Sequence, residues 1–148
     1  MNGDASRRSA IAKALASSSP LEEVRELVPD DGAGAQQVLV YGYAFILETS
    51  SGGLSIVFDR FDDDELARLG HALDAIHAPR AVAAFRSLEA VFRDALRSGA
   101  DRFEAADTAA ARASESGIDD ESESFADEVE AALVEYCKAH LDDLAREA

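Results

Sequence analysis

Residues 36–58, QQVLVYGYAFILETSSGGLSIVF, decide between two folds for this chain. Residues 38–47 form a continuous apolar run with valine, tyrosine and phenylalanine, and a second apolar run, 54–58, follows a pair of glycines. The two runs could therefore form a hairpin of buried strands. The segment 36–48 is also long enough for a helix that is buried on all sides, on which apolar residues are expected all round. Periodicity does not separate these alternatives, so the residues alone leave helix and hairpin open for 38–58.

The segments on either side of this stretch have helical patterns. Asp62 with Glu65 three residues later forms a capping pair, and Pro79 is suited to the first position of the next helix. Ser124 with Asp127 is a second capping pair, before a terminal helix. We therefore predict an all-α fold, a single acidic domain over residues 1–148 with six to eight helices. An α+β fold with a hairpin at 38–58 is the alternative.

The chain is strongly acidic. Its 148 residues include 30 acidic and 14 basic side chains, which gives a formal net charge of −16. Such a surface repels phosphate backbones and anionic lipid heads, so we expect no direct contact with nucleic acid or membrane. No apolar run reaches the ~20 residues of a membrane span. The N-terminus lacks the pattern of a signal peptide, and the chain has a single cysteine. These features predict a cytoplasmic protein.

The acidic residues concentrate towards the C-terminus. After residue 100 there are 15 acidic and 4 basic residues, and nine of the acidic ones lie between Arg112 and Lys138, where no basic residue occurs. On a helix, four of them would form one line of carboxylates, which we call the acidic stripe: Asp120, Glu123, Asp127 and Glu130. The apolar residues Phe125, Val129, Tyr136 and His140 would centre on the opposite side. A smaller group, the secondary acidic patch, comprises Asp62, Asp63, Asp64 and Glu65.

Three sequence elements, taken in order, resemble a known family. They are Glu48 with the Ser51-Gly52-Gly53-Leu54 loop and the apolar run after it, Ala72-Leu73-Asp74-Ala75-Ile76-His77-Ala78 before Pro79, and a helix that ends near Phe92. This pattern resembles the bacterial family typified by DNA mimic protein nineteen, otherwise described as a domain of unknown function. Ser51 and Leu54 stand where the family usually has asparagine and phenylalanine, and His77 stands where a glycine is common. The resemblance implies an all-α fold, which favours a buried helix over 38–47, and Glu48, Gly52 and Gly53 as the family-motif loop.

No residues form a convincing catalytic or metal site. His71 and His77 are six residues apart, which would not place both on one helical face. Cys137 and His140 are at helical spacing but lack an orienting third group, and we expect both on the packed side of the terminal helix. Residues 119–130 carry acids at calcium-loop spacing, but Ser124 replaces the glycine that the turn requires. We expect that the protein is not an enzyme and that it binds no metal and no cofactor.

The acidic stripe leads to three hypotheses on function. Carboxylates on a helix can take the place of DNA phosphates towards arginine and lysine, and the resemblance adds DNA mimicry: an acidic protein occupying the DNA-binding surface of a basic partner. An immunity or antitoxin-like protein would instead bind a basic nuclease. In the third hypothesis the acidic residues only keep the chain soluble. The sequence does not identify the partner, and it leaves open whether the protein forms a homodimer.

Overall fold

A computed structural model describes residues 2–146 of the chain. This part contains nine α-helices, two short 3-10 helices and no strand. Seven of the α-helices span eight residues or more, and the other two are single turns. The helices are α1 (Asn2–Leu15), α2 (Pro20–Leu27), α3 (Ala35–Gly52), α4 (Val57–Arg60), α5 (Asp63–Ala75), α6 (Pro79–Arg97), α7 (Arg102–Ser116), α8 (Ser122–Ala139) and α9 (Leu141–Leu144), and the 3-10 helices are Leu54–Ile56 and Asp119–Glu121. The prediction of an all-α fold is confirmed.

The ambiguous stretch is helical, and the hairpin alternative is wrong. α3 spans 18 residues, and the second apolar run forms a 3-10 turn followed by α4. α3 lies at the centre of the molecule, where it packs mainly against α5 and α8. Gly42 permits this close approach, since a Cβ atom there would lie 2.9 Å from a methyl carbon of Leu133 on α8. The long apolar run of α3 is stable as a helix here because neighbouring helices cover most of its apolar residues.

Two of the predicted helix starts are present. The Asp62 side chain accepts a hydrogen bond from the backbone N–H of Glu65, and the Glu65 carboxylate accepts one from the Asp62 N–H. Pro79 is the first residue of α6, where its missing N–H costs no helical hydrogen bond. Four phenylalanines are fully buried, and the rings of Phe58 and Phe85 stack with centroids 5.6 Å apart. The buried apolar side chains of the helices, including the four buried alanines of α7, form one cluster.

Two predictions on the terminal helix are wrong: the cap at Ser124 and the position of His140 on the packed side. The helix begins at Ser122, with Glu121 at the N-cap position, so Ser124 lies inside the helix and does not cap it. Its hydroxyl group instead accepts a hydrogen bond from the Arg80 guanidinium at 3.0 Å. At the other end α8 stops at Ala139, and α9 follows after His140. The change of direction leaves His140 exposed rather than on the packed side. Its ring stacks on Tyr136, which is half-buried, with centroids 4.0 Å apart.

His77 has an unusual backbone conformation. It is the only non-glycine residue with positive φ in residues 2–146, at 59°. A side chain in this left-handed region costs roughly 1–2 kcal/mol. The family that the sequence resembles commonly has a glycine at this position. Glycine adopts positive φ without this cost, which explains that preference at this turn.

Candidate functional site: the acidic face of helix α8

The start of α8 is held by Gly53 of the family-motif loop and by the two residues that follow it, Leu54 and Ser55. The backbone N–H of Leu54 donates to the Ser122 hydroxyl group at 2.9 Å, and both groups are buried. Asp119 accepts hydrogen bonds from the N–H and the hydroxyl group of Ser55, at 3.2 and 2.9 Å. Gly53 has φ 87°, and a Cβ atom there would lie 3.0 Å from the Asp119 carboxyl carbon. Gly53, Leu54 and Ser55 therefore position the first turn of α8.

The other two predicted loop residues have local structural roles. Gly52 is the last residue of α3. The Glu48 carboxylate lies 3.8 Å from the Arg60 guanidinium, across the turn between α3 and α4. Since this ion pair is partly exposed, it contributes little to stability. The structure thus places Glu48 in the last turns of α3, facing Arg60, whereas Gly53 lies beside Asp119, just before α8.

Some acidic residues of the 112–138 segment are engaged by α6. The Glu128 carboxylate accepts hydrogen bonds from the backbone N–H groups of Ala81 at 2.7 Å and Arg80 at 3.3 Å, at the first turn of that helix. The Arg80 guanidinium lies 3.6 Å from Glu121 and 5.2 Å from the centroid of the Phe125 ring. Sequence reasoning missed Arg80, because this cation comes from more than thirty residues away. Nothing in the local pattern of the acidic segment indicates it.

The four residues of the acidic stripe have no such partners. All four are exposed, and none forms an ion pair with any residue in 2–146: Asp120, Glu123, Asp127 and Glu130. Asp120 lies in the 3-10 turn before α8, and the other three follow each other along one flank of that helix at spacings of four and three. This flank is about a quarter turn away from the centre of the buried face, at about 100° per residue, and not opposite to it. The stripe therefore borders the neighbouring helices.

The secondary acidic patch is largely used within the protein. Asp62 and Glu65 form the capping box of α5. Asp63 accepts hydrogen bonds from Arg102 at 2.7 Å and Arg93 at 2.9 Å. The hydrogen bond from Arg102, followed by that from Arg93, lowers the pKa of the Asp63 carboxyl group. Asp64 is exposed and has no ion pair among the described side chains. The patch therefore presents much less free negative charge than its sequence suggests.

Cys137 and His140 lie in different environments. Cys137 is fully buried, and desolvation raises the pKa of its thiol to about 12. A thiol with that pKa stays protonated at neutral pH and is a poor nucleophile. The exposed His140 ring places its Nδ1 2.8 Å from the Tyr136 carbonyl oxygen. Within residues 2–146, no group of three or more His, Cys, Asp or Glu side chains is arranged to hold a metal ion.

The described part of the chain is thus an all-α protein with a row of four exposed carboxylates, without ion pairs in residues 2–146, on α8 and the 3-10 turn before it. The family model for DMP19-like protein matches residues 30–140, about three quarters of the chain. The chain belongs to this family, as the resemblance implies. Searches of curated proteins and of solved structures returned no match. No helix in the described part of the chain is long and apolar enough to cross a lipid bilayer.

Proposed function

We propose that this protein is a non-enzymatic, cytoplasmic protein that binds a basic protein partner through the acidic stripe and, as a DNA mimic, occupies the partner's DNA-binding surface. The observation that supports this proposal is the division of acidic residues on and before α8. Asp119, Glu121 and Glu128 have partners within the fold. The stripe residues are exposed, and none of them has an ion-pair partner among residues 2–146. Membership of the DMP19-like family agrees with this division.

The spacing of the stripe suits a phosphate-binding surface. Side chains three and four residues apart on a helix are ~5–6 Å apart at Cβ, and flexible carboxylate side chains can vary that distance. This is comparable in scale with the separation of successive phosphates along a DNA strand. Arginine and lysine side chains that bind phosphates also bind carboxylates, often with two hydrogen bonds. A net charge of −16 would also steer a basic partner towards the protein.

Charge reversal tests this proposal directly. Tagged protein is used to capture partners from a lysate of the host cells, and the captured protein is then tested for competition with labelled duplex DNA. We expect DNA to release the partner, and Asp127→Lys with Glu130→Lys to abolish capture. The matched control is Glu104→Lys with Asp107→Lys, which makes the same change in net charge at two exposed acidic residues in the first two turns of α7, at the opposite end of that helix from Asp120.

Three results would contradict the proposal. If the charge-reversed variant still captures the partner, the stripe residues do not bind it and only interact with solvent. Equal loss with the α7 control would show that net charge alone determines binding. A captured nuclease that is inhibited, with no competition from DNA at its surface, would favour the immunity-protein alternative.

A further inference from the structure

A shallow groove lies between α2 and α3, next to the acidic stripe. Its volume is about 470 Å³, and its apolar lining includes Val40, Ala44 and Leu47 together with the ring of Tyr43. Leu47 is 53 % exposed. Among the described residues of α3, it is the only large hydrophobic one that is exposed. We call this depression the α2–α3 groove. Its apolar lining is not needed to cover the core, since the fully buried residues of α3 are on other sides of that helix.

The groove continues towards the stripe. Tyr43 also lines a second depression of about 190 Å³, to which Glu22 of α2, Ile46 of α3 and Glu130 of α8 contribute. The pKa of the Tyr43 hydroxyl group is raised, first by burial and then by the negative charge of Glu22. The two depressions therefore meet at Tyr43. Glu130, the last residue of the stripe, stands at the edge of the joined surface.

The charge around this surface is negative and uncompensated. Glu22, Glu26 and Glu130 border it, and none of them forms an ion pair with another described residue. The one cation at the groove, Arg25, is engaged: its guanidinium donates to the Asp30 carboxylate and to the Val28 carbonyl oxygen. An apolar floor is thus bordered by free carboxylates on both sides of Tyr43.

We infer that the α2–α3 groove binds a basic segment of the protein partner that carries a large apolar side chain beside its lysines or arginines. The apolar side chain would contact Leu47 and Ala44, and its basic neighbours would pair with Glu26 and Glu130. Charge complementarity favours this occupant over a second copy of the chain, because a second copy would bring the same carboxylates and a net charge of −16 against these. The inference rests on the proposed function and adds the chemistry of the segment that is recognised.

This surface would differ from the stripe in its response to salt. Pairing with the stripe is charge-led, and the Debye length falls from about 8 Å at physiological ionic strength to about 3 Å at 1 M. Burial of apolar surface is not screened in this way. DNA offers its protein partners no aliphatic groove of this kind. A partner that uses the groove would therefore bind this protein through contacts that it does not make with DNA.

Two fluorescently labelled helical peptides test the inference by anisotropy. Both have the same length and the same lysine and arginine content, and they differ only in leucines or glutamines on the remaining face. We expect the leucine peptide to bind more tightly and to keep measurable binding at about 1 M salt. Leu47→Asn should weaken the leucine peptide about tenfold, which corresponds to about 1.4 kcal/mol, and leave the glutamine peptide unchanged. Phe103→Asn is the control, since Phe103 is 75 % exposed and lies in a shallow depression next to Arg102.

The outcomes separate this inference from the proposed function. The inference about the groove would be overturned by any of three results: equal binding of both peptides, no binding of either peptide, or no effect of Leu47→Asn. Capture of the cellular partner through the stripe would still stand in each case. The converse result is that the groove binds the leucine peptide while the stripe variants still capture the cellular partner. It would refute the proposed role of the stripe and support the groove. Self-association in sedimentation experiments that is lost in Leu47→Asn would identify the groove as an interface between two copies and also overturn the inference.

Discussion

Two adjacent acidic residues of α8, Asp127 and Glu128, should affect stability differently when they are neutralised: we expect a loss at Glu128 and no loss at Asp127. Glu128 accepts hydrogen bonds from two backbone N–H groups at the first turn of α6, at 2.7 and 3.3 Å. α6 has no side-chain cap of its own, because its N-cap residue is Ala78. Asp127 is exposed, lacks an ion pair within 2–146 and has Glu123 and Glu130 as like-charged neighbours on the same flank. The matched variants are Glu128→Gln and Asp127→Asn, which each remove one charge and keep the side-chain shape.

The size of the Glu128 effect follows from these contacts. Loss of an N-terminal cap costs about 0.5–2 kcal/mol, and a carboxylate near a helix N-terminus adds about 0.3–1 kcal/mol. Glu128→Ala should therefore lower the free energy of unfolding by about 1–3 kcal/mol, which for a chain of this size lowers the Tm by roughly 2–12 °C. Glu128→Gln retains an acceptor oxygen and should cost less. Asp127→Asn should stay within about 0.5 kcal/mol of the parent, and the loss of repulsion favours a small gain.

Urea unfolding followed by far-ultraviolet circular dichroism measures both effects. The midpoint should fall in Glu128→Gln and be unchanged or higher in Asp127→Asn, with equal slopes in all variants. Salt provides a second readout, since the gain in Asp127→Asn should shrink as screening increases. Equal losses in the two variants would refute the different roles given to these neighbours. A gain in Glu128→Gln would show that the contacts with α6 contribute nothing.

Three further predictions concern other parts of the fold. His77→Gly should raise the free energy of unfolding by about 1 kcal/mol, since it removes the cost of positive φ, and a thermal melt with no increase in Tm would contradict this. Ser122→Ala should cost about 1–3 kcal/mol, because the buried N–H of Leu54 loses its acceptor, and an unchanged urea midpoint would argue against that hydrogen bond. The Asp63 carboxyl group has a lowered pKa in the folded state, so its pairing with Arg102 stabilises the fold above the pKa of an unfolded aspartate. This contribution is lost as the pH falls through the lowered folded-state pKa, so Asp63→Asn should flatten the acid limb of a plot of stability against pH.

The sequence by itself determined the helices whose ends carry their own signals. Asp62 with Glu65 forms the predicted capping box, and Pro79 starts α6, because both signals act within one helical turn. The same logic was wrong at Ser124, whose hydroxyl group binds Arg80 from another helix. For residues 38–47 local physics gave no answer. Only the family resemblance favoured the helix there, since a helix covered on all sides and a buried strand have the same composition.

The tertiary structure decided which acidic residues are free. Helix periodicity places Asp127 and not its neighbour Glu128 in the acidic stripe, but nothing in the chain indicates that Glu128 has a partner on α6. α6 brings its first turn to Glu128 and leaves Asp127 in water. The exposure of Leu47 was equally hidden, because an apolar residue in an apolar run is expected to be buried. Local hydrogen bonds and helix periodicity can be read from a chain, but the partner of a surface charge is set by elements that are distant in sequence and meet only in the fold.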